Sequence, residues 1–318
     1  MNPINLKAYG EVTQKGYELY SGKAQGMSER ARILRKPPWL KVRPPVDDAC
    51  RRIRSTLSGL QLHTVCQEAA CPNMAECFAC STATFLILGN ICTRNCLYCN
   101  VAHGRPQPPD ERETEHLIAA VKRLGLRYVV ITSVTRDDLQ DGGAGAFADA
   151  ICCLRREIPE CKIEVLIPDF QGNPDALARV IDAAPAVINH NLEAAQPLFR
   201  ELRPQGNYRF SLEILSRVAA AGLASKSGFM VGFGEQKEDI LRLMDDLASV
   251  SCARLTIGQY QQPTREHRPV ARYYTPDEFE ELREIAYMKG FEHVESGPLV
   301  RSSYHAARAG IPRLLSLP

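Results

Sequence analysis

Three things are scarce in this 318-residue chain, and each absence excludes something. Charge of one sign is the first: 39 basic residues against 37 acidic ones leave a formal net charge of +2, with no run of like charges, which argues against a dedicated nucleic-acid surface. Long apolar runs are the second, since none approaches the roughly 20 residues that cross a bilayer. No apolar signal segment opens the chain, and Glu11, Glu18 and Glu29 count against an acidic-poor transit peptide. A soluble, cytoplasmic protein is therefore expected, with neither nucleic acid nor membrane as partner. Tryptophan is the third, represented by Trp39 alone. An indole is costly to leave in water, so the chain around it is expected to lie on another surface.

Cysteine is plentiful. Twelve cysteines in a long chain of this type point to metal rather than to a disulfide scaffold. Cys92, Cys96 and Cys99 are spaced C-x3-C-x2-C directly after the apolar run Ala83–Gly89. Three thiols are one ligand short of a tetrahedral zinc site or a fully protein-ligated cluster. A [4Fe–4S] cluster held this way leaves one iron open to chelate a small molecule through an amine and a carboxylate, with Tyr98 beside it to pack on the cluster. A zinc knuckle with its fourth ligand elsewhere is the alternative. Upstream, Cys66, Cys71 and Cys77 form a second incomplete triad, C-x4-C-x5-C, and Cys80 stands three residues further on. Cys50, Cys152, Cys153, Cys161 and Cys252 lack ligand spacing and read as small core residues.

The remainder reads as an α/β chain. Apolar runs at 84–88, 128–133, 163–167, 186–189, 227–231 and 255–258 alternate with helical patterns at 113–124, 145–157, 175–183, 208–221 and 237–249. Such alternation implies crossover units and a parallel sheet, and six strands make an open, partial (β/α)6 TIM-like barrel. Residues 81–290 are assigned to it. Residues 1–45 are an N-terminal extension, in which Pro37-Pro38 and Pro44-Pro45 favour extended chain around Trp39. A disordered leader is the alternative for its first thirty residues. Residues 46–80 carry the upstream triad on a loop with a turn at Pro72-Asn73, preceded by a helix from Val46 to Gly59. Residues 291–318 form a C-terminal segment, with a strand at Val294–Ser296 followed by Arg301-Ser302-Ser303-Tyr304.

In barrel enzymes the chemistry gathers at the strands' C-terminal ends. Thr132, Ser133, Asn189, Asn191 and Glu193 lie at such ends and are assigned to a cofactor or substrate pocket. Asp141-Gly142-Gly143 is expected to leave backbone N–H groups free for an anion, although it lacks the lysine and hydroxyl of a P-loop. Polar side chains at Ser225–Gly228 and Gly258–Tyr260 can meet a carboxylate or ribose. Arg203 and Lys226 can neutralise a carboxylate, with a solvated surface charge as the ordinary alternative. His190 reads as a hydrogen-bonded interior histidine.

The Cys92–Cys99 motif resembles that of the radical S-adenosylmethionine (SAM) superfamily, and the second triad narrows the resemblance to lipoyl synthases. Arg35–Lys41, Ile131–Asp138, Asp141–Ala144, Ile257–Tyr260 and Ser296–Ala306 extend it nearly end to end; the second triad and the Arg-Ser-Ser-Tyr segment are its specific signals. Phe78 and Ser81 depart from the usual tryptophan and glycine without altering a ligand. The resemblance implies a radical-SAM partial barrel with both terminal extensions covering it. It implies one [4Fe–4S] cluster on Cys92, Cys96 and Cys99, whose open iron holds SAM for reductive cleavage to a 5′-deoxyadenosyl radical. A second, auxiliary [4Fe–4S] cluster on Cys66, Cys71 and Cys77 would be consumed as sulfur donor, with Ser303 as its fourth ligand in place of Ser302 or Cys80. Two SAM would be used per lipoyl group, with sulfur entering at C6 and C8 of a protein-bound octanoyl chain. The implied partners are octanoylated lipoyl domains of 2-oxoacid dehydrogenase complexes or the glycine cleavage H protein, and flavodoxin or ferredoxin as reductant. A different radical-SAM sulfur-inserting enzyme, or an electron carrier without chemistry of its own, are the competing readings.

Overall fold

Short apolar stretches buried on both faces set the architecture, because a strand with no polar face can only sit between two covered layers. The computed structural model describes residues 34–42, 48–69, 71–79 and 83–306. Expectations for residues 1–33, for Pro44, Pro45 and the helix start at Val46, for Cys80 and Ser81, and for residues 307–318 lie outside the described residues. In chain order the elements are α1 (Asp48–Gly59), β1 (His63–Thr64), α2 (Val65–Glu68), α3 (Met74–Ala79) and β2 (Thr84–Ile87), then α4 (Glu113–Leu124), β3 (Tyr128–Ser133), α5 (Ala144–Glu157), β4 (Lys162–Leu166), α6 (Pro174–Asp182), β5 (Val187–Asn189). They continue with α7 (Gln196–Leu202), α8 (Tyr208–Ala220), β6 (Ala224–Val231), α9 (Lys237–Ser249), β7 (Arg254–Gln259), α10 (Pro276–Met288) and β8 (His293–Gly297).

The sheet order is β1 through β8 without a swap. Strands β2 to β8 run parallel, and β1 lies antiparallel to β2 with His63 opposite Leu86. Parallel strands with helices between them make the expected partial α/β barrel, whose sheet holds two strands more than the six counted from sequence: β1 adds an antiparallel edge beside β2, and β8 pairs with β7 and extends the barrel instead of following it. The upstream triad also differs from expectation. It is not on a plain loop, since Cys66 lies in α2 and Cys77 in α3, with the turn at Pro72 and Asn73 between them.

Local chemistry explains most helix ends. Glu113 and Glu115 open α4, Lys122 and Arg123 close it, and Gly125 stops it at φ 62°. Asn173 caps α6 with Pro174 in its first turn. Thr275 and Glu278 form a reciprocal capping box on α10. One apolar cluster joins α1, β2–β5 and α4–α6 through residues such as Leu57, Phe85, Leu117, Ile131, Phe147 and Val165. A second joins β6–β8 with α9 and α10 through Phe229, Leu243, Leu255 and Phe279. Among the described residues no helix is long and apolar enough to cross a membrane.

Candidate functional site

The Cys92–Cys99 loop leaves β2 through a turn in which Leu88 and Gly89 take φ 66° and 84°, and the Glu113 carboxylate accepts from both their N–H groups at 2.7 and 3.4 Å. The loop has no helix or strand beyond a single bridge from Cys92 to His103, and side chains do much to fix it. Arg94, buried between the thiols, forks onto two carboxylates: Asp137 beyond β3 at 2.7 and 2.9 Å, and Asp169 beyond β4 at 2.7 Å twice. Thr93 donates to the Thr135 carbonyl and accepts from the Asp137 N–H. Leu97 N–H donates to the Leu202 carbonyl, and the His267 ring meets the Cys99 carbonyl at 2.9 Å. Burial would raise Asp169, but the Arg94 hydrogen bonds and charge outweigh it and hold it at about 2.

Two thiols of this loop, Cys96 and Cys99, are raised. Burial, with Cys96 and Cys92 adding to it, pushes Cys99 up to about 12. Burial also raises Cys96, against the opposing charge of Arg203. A buried, raised thiol such as Cys96 or Cys99 keeps its proton until a metal displaces it. Among the described residues no three His, Cys, Asp or Glu side chains are grouped as ligands of one metal ion.

The second triad is held against the C-terminal strap that follows β8. Burial pushes Cys66 up to about 11, with Cys71 adding and hydrogen bonds from Thr84 opposing. Thr84 Oγ1 gives its proton to Ser303 Oγ at 2.7 Å, so one threonine neighbours both Ser303 and Cys66. Cys71 is raised by burial and lowered by the Arg301 charge. Tyr304 OH donates to Glu76, the neighbour of Cys77, at 3.0 Å. Ser302 points the other way and accepts from Asn191 Nδ2. The two adjacent serines therefore serve opposite sides of the strap. Asn100 Nδ2 donates to the Glu68 carbonyl at 3.2 Å and ties the two cysteine segments together.

A single cavity of about 460 Å³ takes residues from both thiol segments: Cys66 and Cys71 from one, Cys99 with its neighbour Tyr98 from the other, with Asn191, Glu193, Arg301, Ser302 and Ser303 between. The exposed Lys36 and Val42 mark its mouth, where Trp39 donates to the Tyr274 carbonyl at 3.2 Å. Close backbone approach needs glycine here. A Cβ on Gly228 would meet Thr256 Oγ1 at 2.3 Å, and one on Gly258 the Val300 carbonyl at 2.2 Å. Glu193 and Arg301 are half-buried because they face this cavity, yet protein surrounds them. Burial raises Glu193 against the nearby Arg203, and burial lowers Arg301 against Cys71 and Glu193.

Of the residues expected in the pocket, Asn191 and Glu193 line the cavity and are hydrogen-bonded to each other at 3.0 Å. Asn189 is fully buried with neither amide atom partnered, and Ser133 Oγ and Asn191 Oδ1 are likewise buried without a partner. Thr132 spends its proton on the Leu166 carbonyl within the sheet. Other expectations are corrected. Asp141 itself accepts from the Gly143 and Gly145 N–H groups at 2.9 and 2.8 Å, so those donors are not free for an anion. Gly143 answers to packing, since a Cβ there would strike Leu88 at 2.3 Å. Lys226 is neither solvated nor available, being buried against Glu164 at 2.7 Å. Arg203 is no surface charge either: it donates to the Asn191 carbonyl at 2.9 Å. Gln259 is consumed by the carbonyls of Val231, Tyr260 and Arg272 and the Tyr274 N–H. Cys152 is exposed rather than core, whereas Cys50, Cys161 and Cys252 are buried. His190 is interior, with Nδ1 on the Ile167 carbonyl and Nε2 on Ser211 Oγ, both at 2.9 Å. The Arg94 clamp was not legible in the sequence, because its partners lie 43 and 75 residues away.

Residues 86–247 match the radical SAM superfamily and residues 10–71 match the N-terminal domain of lipoyl synthase of the radical SAM family. A lipoyl synthase of Rubrobacter xylanophilus is 54% identical over 273 residues, 85% of either chain. One from Proteus mirabilis is 51% identical over 88% of either chain. One from Caldanaerobacter subterraneus subsp. tengcongensis is 52% identical over 86% of this chain and 96% of its own. Among solved structures, Streptococcus suis SuiB bound to S-adenosylmethionine superimposes with TM-score 0.53 at 11% identity, covering 70% of this chain and 53% of that one. Methylornithine synthase PylB does so with TM-score 0.51 at 12% identity, covering 77% and 81%. At such identities the two structures speak to the fold alone.

Proposed function

This chain belongs to the lipoyl synthase family of the radical SAM superfamily, and on that premise we propose that it inserts two sulfur atoms at C6 and C8 of a protein-bound octanoyl group. The observation that carries the proposal is the shared cavity, because a carbon made reactive by hydrogen abstraction must already lie within reach of its sulfur donor. Residues of both triads line that one space.

Membership of the superfamily implies a [4Fe–4S] cluster and SAM, and the residues present fit them. Cys92, Cys96 and Cys99 lie on a clamped loop and would hold the cluster by three thiolates, with SAM as the further ligand. Unpartnered buried amide and hydroxyl atoms at Asn189, Asn191 and Ser133 suit a ligand that brings donors and acceptors of its own. With Glu193, and with Thr132 in the sheet behind them, they form the proposed SAM pocket. Cys66, Cys71, Cys77 and Ser303 would hold the auxiliary [4Fe–4S] cluster. Bound there, the reduced cluster and SAM supply hydrogen-atom abstraction at unactivated carbons, twice per lipoyl group, and the auxiliary cluster supplies sulfide.

The chain's own residues position and enclose. Arg94 holds the first thiol loop to β3 and β4, and Glu193 with Arg203 places opposite charges beside it. Leu40, Val65, Phe229 and Tyr260 give the cavity apolar wall for an acyl chain, while the mouth between Lys36 and Val42 admits the acyl-lysine arm. The segments that carry Cys66, Cys71 and Cys77 and, after β8, Ser303 would bring the auxiliary ligands to the barrel. The partners are octanoylated lipoyl domains of 2-oxoacid dehydrogenase complexes or glycine cleavage H protein, with flavodoxin or ferredoxin as reductant, in the cytoplasm. The test is anaerobic incubation with SAM, reductant and an octanoylated lipoyl domain, read by mass spectrometry. Two sulfurs gained and two hydrogens lost on the acyl-lysine, with 5′-deoxyadenosine released, are expected. An unchanged acyl group would refute the proposal.

A further inference from the structure

Three ties hold the strap 299–306 to the segment bearing the second triad. Asn73 Nδ2 donates to the Leu299 carbonyl at 2.5 Å, and Thr84 Oγ1 to Ser303 Oγ at 2.7 Å. The third tie is a carboxylate. Glu76 accepts from Tyr304 OH at 3.0 and 3.2 Å and lies 3.2 Å from His305 Nε2, while the Tyr304 and His305 rings stack at 3.9 Å. Asn73 and Thr84 are buried; Glu76 is open to water, its side chain 53% exposed.

Position gives this third tie its meaning. Glu76 precedes Cys77 on α3, and Tyr304 and His305 directly follow Ser303. One exposed side chain thus couples the helix carrying the third thiol to the arm carrying the serine. A tie to a solvated carboxylate contributes little net stability, so it can open while the buried ties and the barrel stay intact.

We propose that Glu76 is a positioning residue for Ser303: through Tyr304 and His305 it latches the strap so that Ser303 stays in reach of the Cys66, Cys71 and Cys77 site. Release of the latch gives iron and sulfide a way to that site from solvent. The proposal rests on the reading that Ser303 is the fourth auxiliary ligand.

The experiment uses full-length protein reconstituted anaerobically, as wild type, Glu76→Ala, Glu76→Gln and Tyr304→Phe. Hydrogen exchange of residues 299–306 and the Mössbauer spectrum are the readouts, with SAM cleavage as control. Glu76→Ala should speed exchange of the strap severalfold, the scale of one exposed hydrogen bond, and should weaken the oxygen-ligated iron signal of the auxiliary cluster while SAM cleavage is kept. Glu76→Gln, which still offers Tyr304 an amide oxygen, should retain most of both, and Tyr304→Phe should fall between. Unchanged exchange and an unchanged spectrum in Glu76→Ala would overturn the latch. A wild-type spectrum without oxygen-ligated iron would instead sink the Ser303 reading, and the exchange rates would then decide the latch by themselves.

Discussion

The two thiol triads are anchored in opposite ways. Around Cys92–Cys99 the loop is fixed by a buried arginine forked onto two carboxylates, one of them 3% exposed, and by bonds to the ends of β3, β4 and α7. Around Cys66–Cys77 the chain is two short helices and a turn, closed by a strap whose outermost tie sits in water. A buried, fully paired charge network resists local opening, whereas a few exposed hydrogen bonds permit it. The difference suits the proposed division of labour: one site has to keep its geometry through every turnover, the other has to give up sulfide and be rebuilt.

The largest effects should come from removing either triad. Cys92, Cys96 and Cys99 changed together to alanine should abolish SAM cleavage and leave the auxiliary iron bound. The corresponding change at Cys66, Cys71 and Cys77 should spare SAM cleavage and stop sulfur insertion. Iron content, 5′-deoxyadenosine and product mass report all three quantities; a thiolating Cys66/Cys71/Cys77 variant would erase the distinction between the sites. Ser303→Ala should likewise keep SAM cleavage and lose lipoyl formation, while Cys80→Ala should be nearly silent. The reverse pair of results would move the ligand to Cys80.

Smaller effects probe the anchoring itself. Arg94→Met leaves Asp169 and Asp137 unpaired, one of them buried, and should cost about 3–5 kcal/mol in denaturant unfolding. An equally stable variant would show that the clamp is not what holds the loop. Acid should act on the same region. His190 is neutral in the fold, burial lowering it to about 4 with Arg203 adding to the effect. Its unfolded form takes a proton near 6.5, so stability should fall between about pH 6.5 and 4, on the order of 3 kcal/mol. Asp169, held at about 2 against its burial by Arg94, should extend the loss from pH 3.8 downward. In His190→Gln the decline between pH 6.5 and 4 should flatten; a slope identical to wild type would exclude His190 as its source.

Much of the fold was legible because the strands are short apolar runs and the helices are capped and charged at their ends: α4 and α9 fall at 113–124 and 237–249 as the periodicity implied. Elements of four to seven residues, α2, α3 and α7, escaped because so short a run shows no period. Strand β8 was seen at Val294–Ser296, but its pairing with β7 is a tertiary fact. At the site, thiol spacing exposed both triads, since ligand geometry is written in local sequence. Which polar residues face a ligand was not local. Lys226 meets Glu164 across 62 residues, and Asp141 turned out to fill the anion position of its own glycine turn. The opposite orientations of Ser302 and Ser303 depend on Asn191 and Thr84, which no local pattern connects to them.

The most direct test of the central claim, two triads serving one cavity with one of them as sulfur source, is to rebuild the clusters with isotopically labelled sulfide and follow the label into product. Without added sulfur or iron, the account expects doubly labelled lipoyl groups at no more than about one per chain. Unlabelled product, or sustained multiple turnover under those conditions, would contradict it.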